Sequence, residues 1–329
     1  MSICIIGAGA TGLLLLLLLQ EASVNLSTIT IIDPYFDGGD LARKWTAVIS
    51  NTPWSKTINS LKATCPSLTL PESHDTTTPL IEIAHLIRDL TTPLLKKTRQ
   101  IQGRALSSNY DSASKMWITT VNGEIVTTAR LVLAQGSEPK FMDLPIPSIP
   151  LEIALDQSRL KHYVKSGDKI IIFGTMHSGT LVINNLTALG TQVTAYYNSP
   201  DPFYWARDGA YDGIKADAAD IADRIVKGEI AVTLVATKDT AKVIRTSHDA
   251  QWVVYSMGFA PRDIVLTLDG TPCSAKEYDG LSGRLNKAPA WGFGIAYPNR
   301  APDGINWDVG VASFLEHMKR QISSILEGT

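Results

Sequence analysis

The sequence has few cysteines and no long run of basic residues. Its three cysteines, Cys4, Cys65 and Cys273, are far apart and odd in number, which argues against a disulfide framework and a four-cysteine zinc site. The histidines show no paired ligand spacing, so no metal site is predicted. The scattered cysteines predict a reducing, cytoplasmic compartment. The net charge of −2 and the lack of a basic patch predict that the protein binds neither nucleic acid nor a membrane.

Long apolar runs are also missing, apart from the seven leucines of Leu13–Leu19. This run is too short to span a bilayer. No basic residue precedes it, since the first is Arg43, and this argues against a signal peptide. A helix that is apolar on every face is buried inside a protein. We therefore expect these leucines to form a buried helix.

The chain has 329 residues, of which 44% are hydrophobic and 19% charged, enough for about two globular domains. A strand, a glycine turn, a helix and a second strand begin at Ser2, and the same pattern begins again at Lys169. This repetition predicts an α/β protein with two Rossmann-like modules. Between the modules, Tyr35–Pro79 is predicted to be irregular. After the second module, Ala241–Thr246 is predicted to be a strand.

The first glycine turn is Gly7-Ala8-Gly9-Ala10-Thr11-Gly12. In such a turn the first glycine permits the tight bend, the second lets a pyrophosphate approach, and the third lets the helix pack on the strand. Asp33 ends the next strand, where a carboxylate accepts hydrogen bonds from ribose hydroxyls. The pattern predicts a bound dinucleotide at these positions: Gly7, Gly9, Ala10, Thr11, Gly12 and Asp33.

The second glycine turn, Gly174–Gly179, has Met176 in place of the middle glycine. A methionine there would push a pyrophosphate outward or force a different backbone path. The strand that follows ends without an acid, which weakens the case for NAD and permits a 2′-phosphate. The predicted nicotinamide nucleotide is NADPH, or NADH, and its candidate contacts are Gly174, His177, Ser178 and Gly179. His177 is expected to orient backbone or ligand rather than to transfer protons.

In their order along the chain, these motifs resemble those of the two-dinucleotide-binding-domain flavoproteins, which include the pyridine nucleotide-disulfide reductases and the flavin monooxygenases. The first turn is similar to the FAD fingerprint of that family, and the second to its NAD(P)H fingerprint. Two "ATG"-like motifs follow strands: one contains Gln135, where threonine is usual, and Gly136, and the other contains Gly258.

Further segments extend the resemblance. Gly292–Ala296 is similar to the "GxGD" strand of the family, with Ala296 or Tyr297 where the aspartate is usual. The resemblance implies flavin contacts from Gly294 and from the helix start at Val309. Gly38-Gly39 and Trp45, six residues on from Gly39, are partly similar to the Gly-Gly-x-Trp of the monooxygenase branch. No pair of neighbouring cysteines is present for dithiol chemistry.

The resemblance implies an FAD-binding domain from residues 1–150 and 259–329, with an inserted NAD(P)H-binding domain at 151–258. It implies that NADPH or NADH passes hydride to FAD, and it favours a monooxygenase acting on a small molecule. No catalytic side chain is predicted, because the flavin carries the chemistry. Two alternatives stay open: a thiol-independent NAD(P)H reductase or oxidase, and a nucleotide-binding protein without redox turnover. Assembly as a homodimer is also left open.

Overall fold

The computed structural model describes residues 1–207, 214–274, 277–285, 288–301 and 307–327. The strands within these ranges are β1 Ile3–Ile6, β2 Ile29–Asp33, β3 Ile49–Pro53, β4 Thr77–Pro79, β5 Arg99–Gln102, β6 Ala105–Asp111, β7 Met116–Val121, β8 Glu124–Thr128, β9 Arg130–Leu133, β10 Ser137–Pro139, β11 Lys169–Phe173, β12 Gln192–Tyr197, β13 Thr233–Ala236, β14 Trp252–Tyr255, β15 Phe259–Pro261, β16 Val265–Leu268, β17 Thr271–Cys273, β18 Ala290–Gly292, β19 Asn299–Arg300 and β20 Trp307–Asp308. The helices are α1 Ala10–Glu21, α2 Asp40–Arg43, α3 Trp54–Thr64, α4 Leu80–Leu95, α5 Leu151–Ala154, α6 Gln157–Leu160, α7 His177–Ala188, α8 Ile214–Val226, α9 Thr240–Ser247 and α10 Val311–Glu327.

The chain divides into two compact units. Unit 1 comprises Met1–Thr46, Pro53–Glu138 and Pro261–Thr329, and unit 2 comprises Ala47–Thr52 and Pro139–Ala260. Unit 1 is therefore assembled from separate chain segments, and most of unit 2 is one insertion between them. The assignment of FAD to the first unit and of NAD(P)H to the second stays a prediction.

The segment 139–150 belongs to unit 2, although it was expected to close the first segment of the FAD-binding domain. Its backbone pairs with β14: Ile149 N donates to Val253 O at 2.8 Å, and Val253 N donates to Pro147 O at 3.0 Å. Met142 and Leu144 pack on the core of the same unit. These contacts explain why the chain leaves unit 1 before segment 139–150 rather than after it.

Unit 1 is built around a parallel sheet in the order β18–β9–β1–β2–β5. Alternate residues of β1 point to opposite faces, so Ile3 and Ile5 join a core with α1, whereas Cys4 and Ile6 join a core on the other side. The leucines of α1 are at most 3% exposed, and the helix packs between α4 and α10. The run of seven leucines is thus the buried helix that was predicted.

A second sheet of unit 1 has the order β17–β16–β6–β7–β8. Its buried face, which includes Trp117 and Val126, packs on the face of the parallel sheet that α1 does not cover. Asn122 and Gly123 turn between β7 and β8 with φ of 49° and 80°, as an Asn-Gly hairpin requires. Unit 1 therefore has three layers: helices, a parallel sheet and a mostly antiparallel sheet.

Unit 2 has its own parallel sheet, in the order β13–β12–β11–β14. Helix α7 crosses over from β11 to β12 and contacts α5, α6 and α8. Its buried residues include Val182, Ile183 and Leu186, at helical spacing. This is the second Rossmann-like unit expected from the repeated pattern.

Some local predictions were wrong. Ala241–Thr246 lies within helix α9 rather than a strand, because the Asp239 side chain caps that helix by accepting from Lys242 N at 3.0 Å. Tyr35–Pro79 is not irregular throughout: it contains α2, α3, β3 and β4. The segment Gly292–Ala296, which resembles the "GxGD" strand, is not a strand throughout: β18 ends at Gly292, and the chain turns at Gly294 with φ of 88°. Within the described ranges, no helix has the length and apolar character to cross a membrane.

Candidate dinucleotide-binding sites

The first glycine loop requires two of its glycines for steric reasons. Gly7 has φ of 106°, and a Cβ there would lie 2.3 Å from Ala134 O. A Cβ at Gly12 would lie 1.9 Å from Gly7 O, so helix α1 can pack this closely only without a side chain. These two glycines set the path of the loop between β1 and α1.

The middle glycine leaves space instead. A Cβ added at Gly9 would meet only Gly39 Cα, at 3.8 Å. Gly9 precedes α1, no side chain caps the helix, and its first turn, which contains Ala10 and Thr11, carries no acidic residue. The backbone N–H groups at this helix start are therefore available to an anion, and the helix dipole favours one. The loop has the shape and charge that a pyrophosphate requires.

Asp33 lies at the end of β2 and is buried against the glycine loop. Its Oδ2 accepts from Ala8 N at 2.8 Å, and its Oδ1 accepts from Tyr35 N and Phe36 N at 2.8 and 2.9 Å. A carboxylate can accept about four hydrogen bonds, so about one acceptor position remains for a ribose hydroxyl. Asp33 thus fixes the loop as well as standing where a ribose is expected.

The segment after Asp33 brings two further glycines to the loop. Gly38 bridges Gly9, and a Cβ at Gly39 would lie 2.7 Å from Gly9 Cα. Both have positive φ, of 97° and 74°. Trp45 follows α2, is partly buried, and donates from its backbone N to Asp40 O at 3.1 Å. The structure therefore places the predicted Gly-Gly pair at the glycine loop and Trp45 at the far end of the same short segment.

Gln135, which follows β9, lies in a polar network that sequence analysis did not predict. Its Nε2 donates to Tyr297 Oη at 2.8 Å and to Arg262 O at 3.3 Å. Arg262 Nη1 donates to Gln135 O at 2.8 Å, Nη2 of the same guanidinium donates to Asp40, and Arg262 N donates to Gly136 O at 3.2 Å. Burial raises the pKa of Tyr297 to about 12, which keeps its hydroxyl protonated. The network links the end of β9 to α2 and to the turn after β18.

The turn after β18 reaches the start of α1. A Cβ at Gly294 would lie 2.4 Å from Thr11 Oγ1, so only glycine fits there. Val309 lies two residues before α10 and is 51% exposed. The predicted positions Gly294 and Thr11 are therefore in contact, whereas Val309 lies just before helix α10.

The second glycine loop, in unit 2, repeats the geometry of the first. A Cβ at Gly174 would lie 2.1 Å from Ser256 O, and one at Gly179 would lie 2.0 Å from Gly174 O. Met176 precedes α7 with φ of −72° and ψ of −175°, close to the −77° and −174° of Gly9. The methionine has therefore not forced a different backbone path. Its side chain is 40% exposed beside the helix start.

An aromatic side chain supports this second loop. Trp205, 4% exposed, donates from Nε1 to Thr175 O at 3.1 Å, and its ring lies 4.2 Å from that of His177. Burial, with a smaller contribution from the charge of Lys215, lowers the pKa of His177 to about 4. The imidazole is therefore neutral and packed, and the orienting role of His177 stays a prediction. Ser178 lies beside it in the first turn of α7.

The remaining motif glycines, Gly136 and Gly258, have positive φ of 70° and 79°. Gly258 O accepts from Lys140 N at 2.9 Å within unit 2. Both glycines thus mark points where the chain turns sharply after a strand.

The cysteines are all free thiols in the structure. Cys4 and Cys65 are buried, and burial raises the pKa of both, that of Cys4 to about 12. A raised pKa leaves a thiol protonated and weakly nucleophilic. Within the described part of the chain, no group of three or more His, Cys, Asp and Glu side chains could hold a metal ion.

Sequence reasoning missed Arg262, Tyr297 and Trp205 as supporting residues. The sequence suggested Tyr297 only as a replacement for the aspartate of the family. No local signal pairs Arg262 with Asp40, because 222 residues separate them. The substitution of glutamine for threonine at Gln135 was the one visible sign of a changed network.

The comparisons with known proteins agree with this geometry. No protein-family model matches the chain. A relative, monooxygenase AgnR1 of Paecilomyces divaricatus, is 26% identical, over 96% of this chain and 95% of that protein. Bacillithiol disulfide reductase Bdr of Staphylococcus aureus has a TM-score of 0.63 at 14% identity, covering 99% of this chain and 98% of its own.

The structure of OTEMO in complex with FAD and NADP has a TM-score of 0.62 at 15% identity, covering 99% of this chain and 84% of that chain. Identities this low establish the fold and not the reaction. Together with the two glycine loops, they confirm the α/β class and the resemblance predicted from the sequence. The chain has the fold of the two-dinucleotide-binding-domain flavoproteins.

Proposed function

We propose that this protein is an FAD-dependent monooxygenase that uses NADPH to oxidise a small organic molecule. The observation that carries the proposal is the presence of two glycine loops, one in each unit, in which close contacts require the first and last glycines. The cysteines of the chain are free and form no neighbouring pair for dithiol chemistry. The monooxygenase relative, aligned along nearly the whole of both chains, supports the choice of reaction. The structures related by fold, one of them holding FAD and NADP, support the cofactor pair.

FAD would be held by unit 1, whose loop fits it because the space beside Gly9 is open. The loop and the first turn of α1 would bind the pyrophosphate, and Asp33 the adenosine ribose. The proposed contacts in unit 1 are Gly7, Gly9, Ala10, Thr11, Gly12, Asp33, Trp45, Gln135, Gly136, Gly294 and Val309. When bound, FAD would accept hydride from the reduced nucleotide and pass electrons to oxygen.

NADPH would be held by unit 2, through Gly174, His177, Ser178 and Gly179 at the start of α7, with Gly258 at the edge of the same unit. The end of β12 supplies Tyr197 and the loop that follows begins with Asn198, so no carboxylate stands there to repel a 2′-phosphate. This supports NADPH over NADH. Met176 would stand beside the phosphates without altering the backbone that binds them.

Two features favour other functions. The exposed Met176 side chain favours the non-redox alternative, in which unit 2 keeps its fold but binds nucleotide weakly. The likeness to a disulfide reductase favours a reductase, but the buried thiols with raised pKa values restrict it to thiol-independent acceptors such as quinones or oxygen.

An anaerobic absorption experiment tests the proposal. The purified protein should bind FAD with visible flavin bands, and NADPH should bleach those bands faster than NADH does. Oxygen admitted with a substrate should then give a hydroxylated product. Bleaching followed only by peroxide, with every substrate offered, would favour the oxidase alternative, and flavin that stays oxidised with both nucleotides would favour the non-redox one.

The Met176→Gly variant provides a matched control for the nucleotide site. If it binds NADPH and the unaltered protein does not, the second loop has lost its ligand through that side chain. The cytoplasmic location and the absence of nucleic-acid and membrane partners stay predictions, and assembly as a homodimer stays open. Size-exclusion chromatography with light scattering would test the last of these.

A further inference from the structure

We propose that the guanidinium of Arg262 binds FAD directly, by donating hydrogen bonds to the phosphate that carries the ribityl chain. The inference rests on the proposed binding of FAD by unit 1. Arg262 follows β15, where the chain returns to unit 1, and it lies outside every glycine motif of the sequence.

Two hydrogen bonds hold the guanidinium at the carboxyl edge of the parallel sheet. Nη1 donates to Gln135 O at 2.8 Å, just beyond the end of β9. Nη2 donates to the carboxylate of Asp40. Asp40 follows Gly39, which packs against Gly9 in the glycine loop. The guanidinium therefore lies between the end of β9 and the segment that contacts the loop at the end of β1.

The guanidinium also has N–H groups that the protein does not use. An arginine side chain carries five N–H donors, and the bonds to Gln135 and Asp40 occupy two of them. The side chain is 24% exposed, and none of its nitrogens is among the buried, unpaired atoms of the described residues. The remaining donors are therefore accessible to a ligand.

The charges around Arg262 favour an anionic ligand only when the arginine is present. Asp40 also accepts from Arg43 Nη2 at 3.1 Å, and Arg43 Nε lies 3.2 Å from Asp37 Oδ2. These two aspartates and two arginines together have no net charge. Without Arg262 the group would carry a negative charge beside the glycine loop, and that charge would repel a phosphate.

The order of the sheet identifies the group of FAD that faces Arg262. The carboxyl ends of the parallel strands lie along one edge in the order β18, β9, β1, β2. The pyrophosphate is expected at the end of β1, and the adenosine ribose at Asp33, at the end of β2. The other half of FAD must therefore extend over the end of β9.

The first group of FAD on that side of the glycine loop is the phosphate that carries the ribityl chain. It is anionic and offers several acceptor oxygens, which is the chemistry that a guanidinium with free N–H donors binds best. The position of Arg262, its unused donors and the local charge therefore all agree with this phosphate.

Binding of FAD, ADP and AMP to purified apoprotein, measured by isothermal titration calorimetry, tests this inference. The second phosphate of ADP corresponds to the phosphate that carries the ribityl chain, and AMP lacks it. Arg262→Met removes the donors and the charge, so it should raise the dissociation constants of FAD and ADP about 10- to 100-fold and leave that of AMP unchanged. The matched control, Arg99→Met, breaks an exposed ion pair with Glu124 and should change none of the three constants.

A double variant, Arg262→Met with Asp40→Asn, separates direct binding from charge compensation. It contains no unpaired carboxylate at position 40, so it should fold even if Arg262→Met does not. FAD and ADP should both remain weakened, by at least about 10-fold.

Recovery of the original affinity in the double variant would overturn the direct contact, because Arg262 would then act only by neutralising Asp40. Unchanged binding of FAD in Arg262→Met, weakening of FAD without ADP, or equal weakening of AMP would also overturn it, while leaving FAD binding by the unaltered protein intact. If the unaltered protein does not bind FAD, the proposed function fails, and this inference fails with it.

Discussion

Replacing Gly294 with alanine should destabilise unit 1 by about 2 to 5 kcal/mol. A residue with a side chain pays roughly 1 to 2 kcal/mol to adopt a left-handed backbone conformation, and Gly294 has φ of 88°. The added methyl group would also lie 2.4 Å from Thr11 Oγ1, and overpacking of this kind costs about 1 to 3 kcal/mol. The free energy of unfolding, measured in urea by far-UV circular dichroism, reports the sum.

Two further variants separate the backbone and steric contributions. Gly123 has φ of 80° with nothing within 4 Å of an added Cβ, so Gly123→Ala should show the backbone cost alone, about 1 to 2 kcal/mol. Thr11→Ala removes the hydroxyl that the new methyl group would strike. In the Gly294→Ala background it should recover about 1 to 3 kcal/mol.

A Gly294→Ala variant no less stable than Gly123→Ala would refute the argument. The contact between the turn after β18 and the start of α1 would then be loose, and Gly294 would have no steric reason to be glycine. Failure of Thr11→Ala to recover any stability would refute it equally.

Three further predictions follow from other contacts. Asp33→Asn places an amide group against backbone donors, so it should lower the free energy of unfolding by about 1 to 3 kcal/mol and weaken FAD binding. The control Asp89→Asn, at an exposed position, should change neither. Urea unfolding and FAD titration measure the two effects. The pKa of His177 is lowered from 6.5 to about 4 by burial and by Lys215, so the folded state binds fewer protons than the unfolded chain between these values. The contribution of His177 to the free energy of unfolding should be complete above pH 6.5 and should be lost as the pH falls towards 4. Because the side chain is partly exposed, the loss should be about 1 to 2 kcal/mol. Unfolding of the His177→Gln variant, measured across this pH range, should not show this loss. Trp205→Phe removes the donor to Thr175 O, so it should lower the free energy of unfolding by about 2 kcal/mol and weaken NADPH binding. The control Tyr204→Phe, at a half-exposed position, should change neither. Urea unfolding measures the stability, and calorimetric titration measures the binding.

The glycine loops could be predicted from the sequence because one constraint in each loop is local. Gly7 and Gly12 interact with each other across one turn, and the same holds for Gly174 and Gly179. Strand, turn and helix follow one another within each motif, so the spacing alone identifies the structure. The leucine run was equally clear, since a helix with leucine on all faces can only be buried.

Residues that depend on distant partners could not be predicted. Gln135 and Tyr297 are 162 residues apart, and Arg262 and Asp40 are 222 apart, so no spacing rule relates them. Helix α9 was missed for a different reason. Val243 and Ile244 favour a strand, but the cap by Asp239 starts a helix that exposes Ile244.

The two loops also show what the middle position of such a motif controls. Gly9 and Met176 have nearly the same φ and ψ, and both conformations are open to any residue. Glycine is therefore not needed there for the backbone; it is needed only where something must come close. In the first loop Gly39 lies so close to Gly9 that a Cβ added at Gly39 would be 2.7 Å from Gly9 Cα. A side chain at position 9 would therefore compete with the ligand for the remaining space. The second loop keeps the same path while carrying a methionine, so any weakening of its nucleotide affinity must come from the side chain, and a single substitution to glycine should remove it.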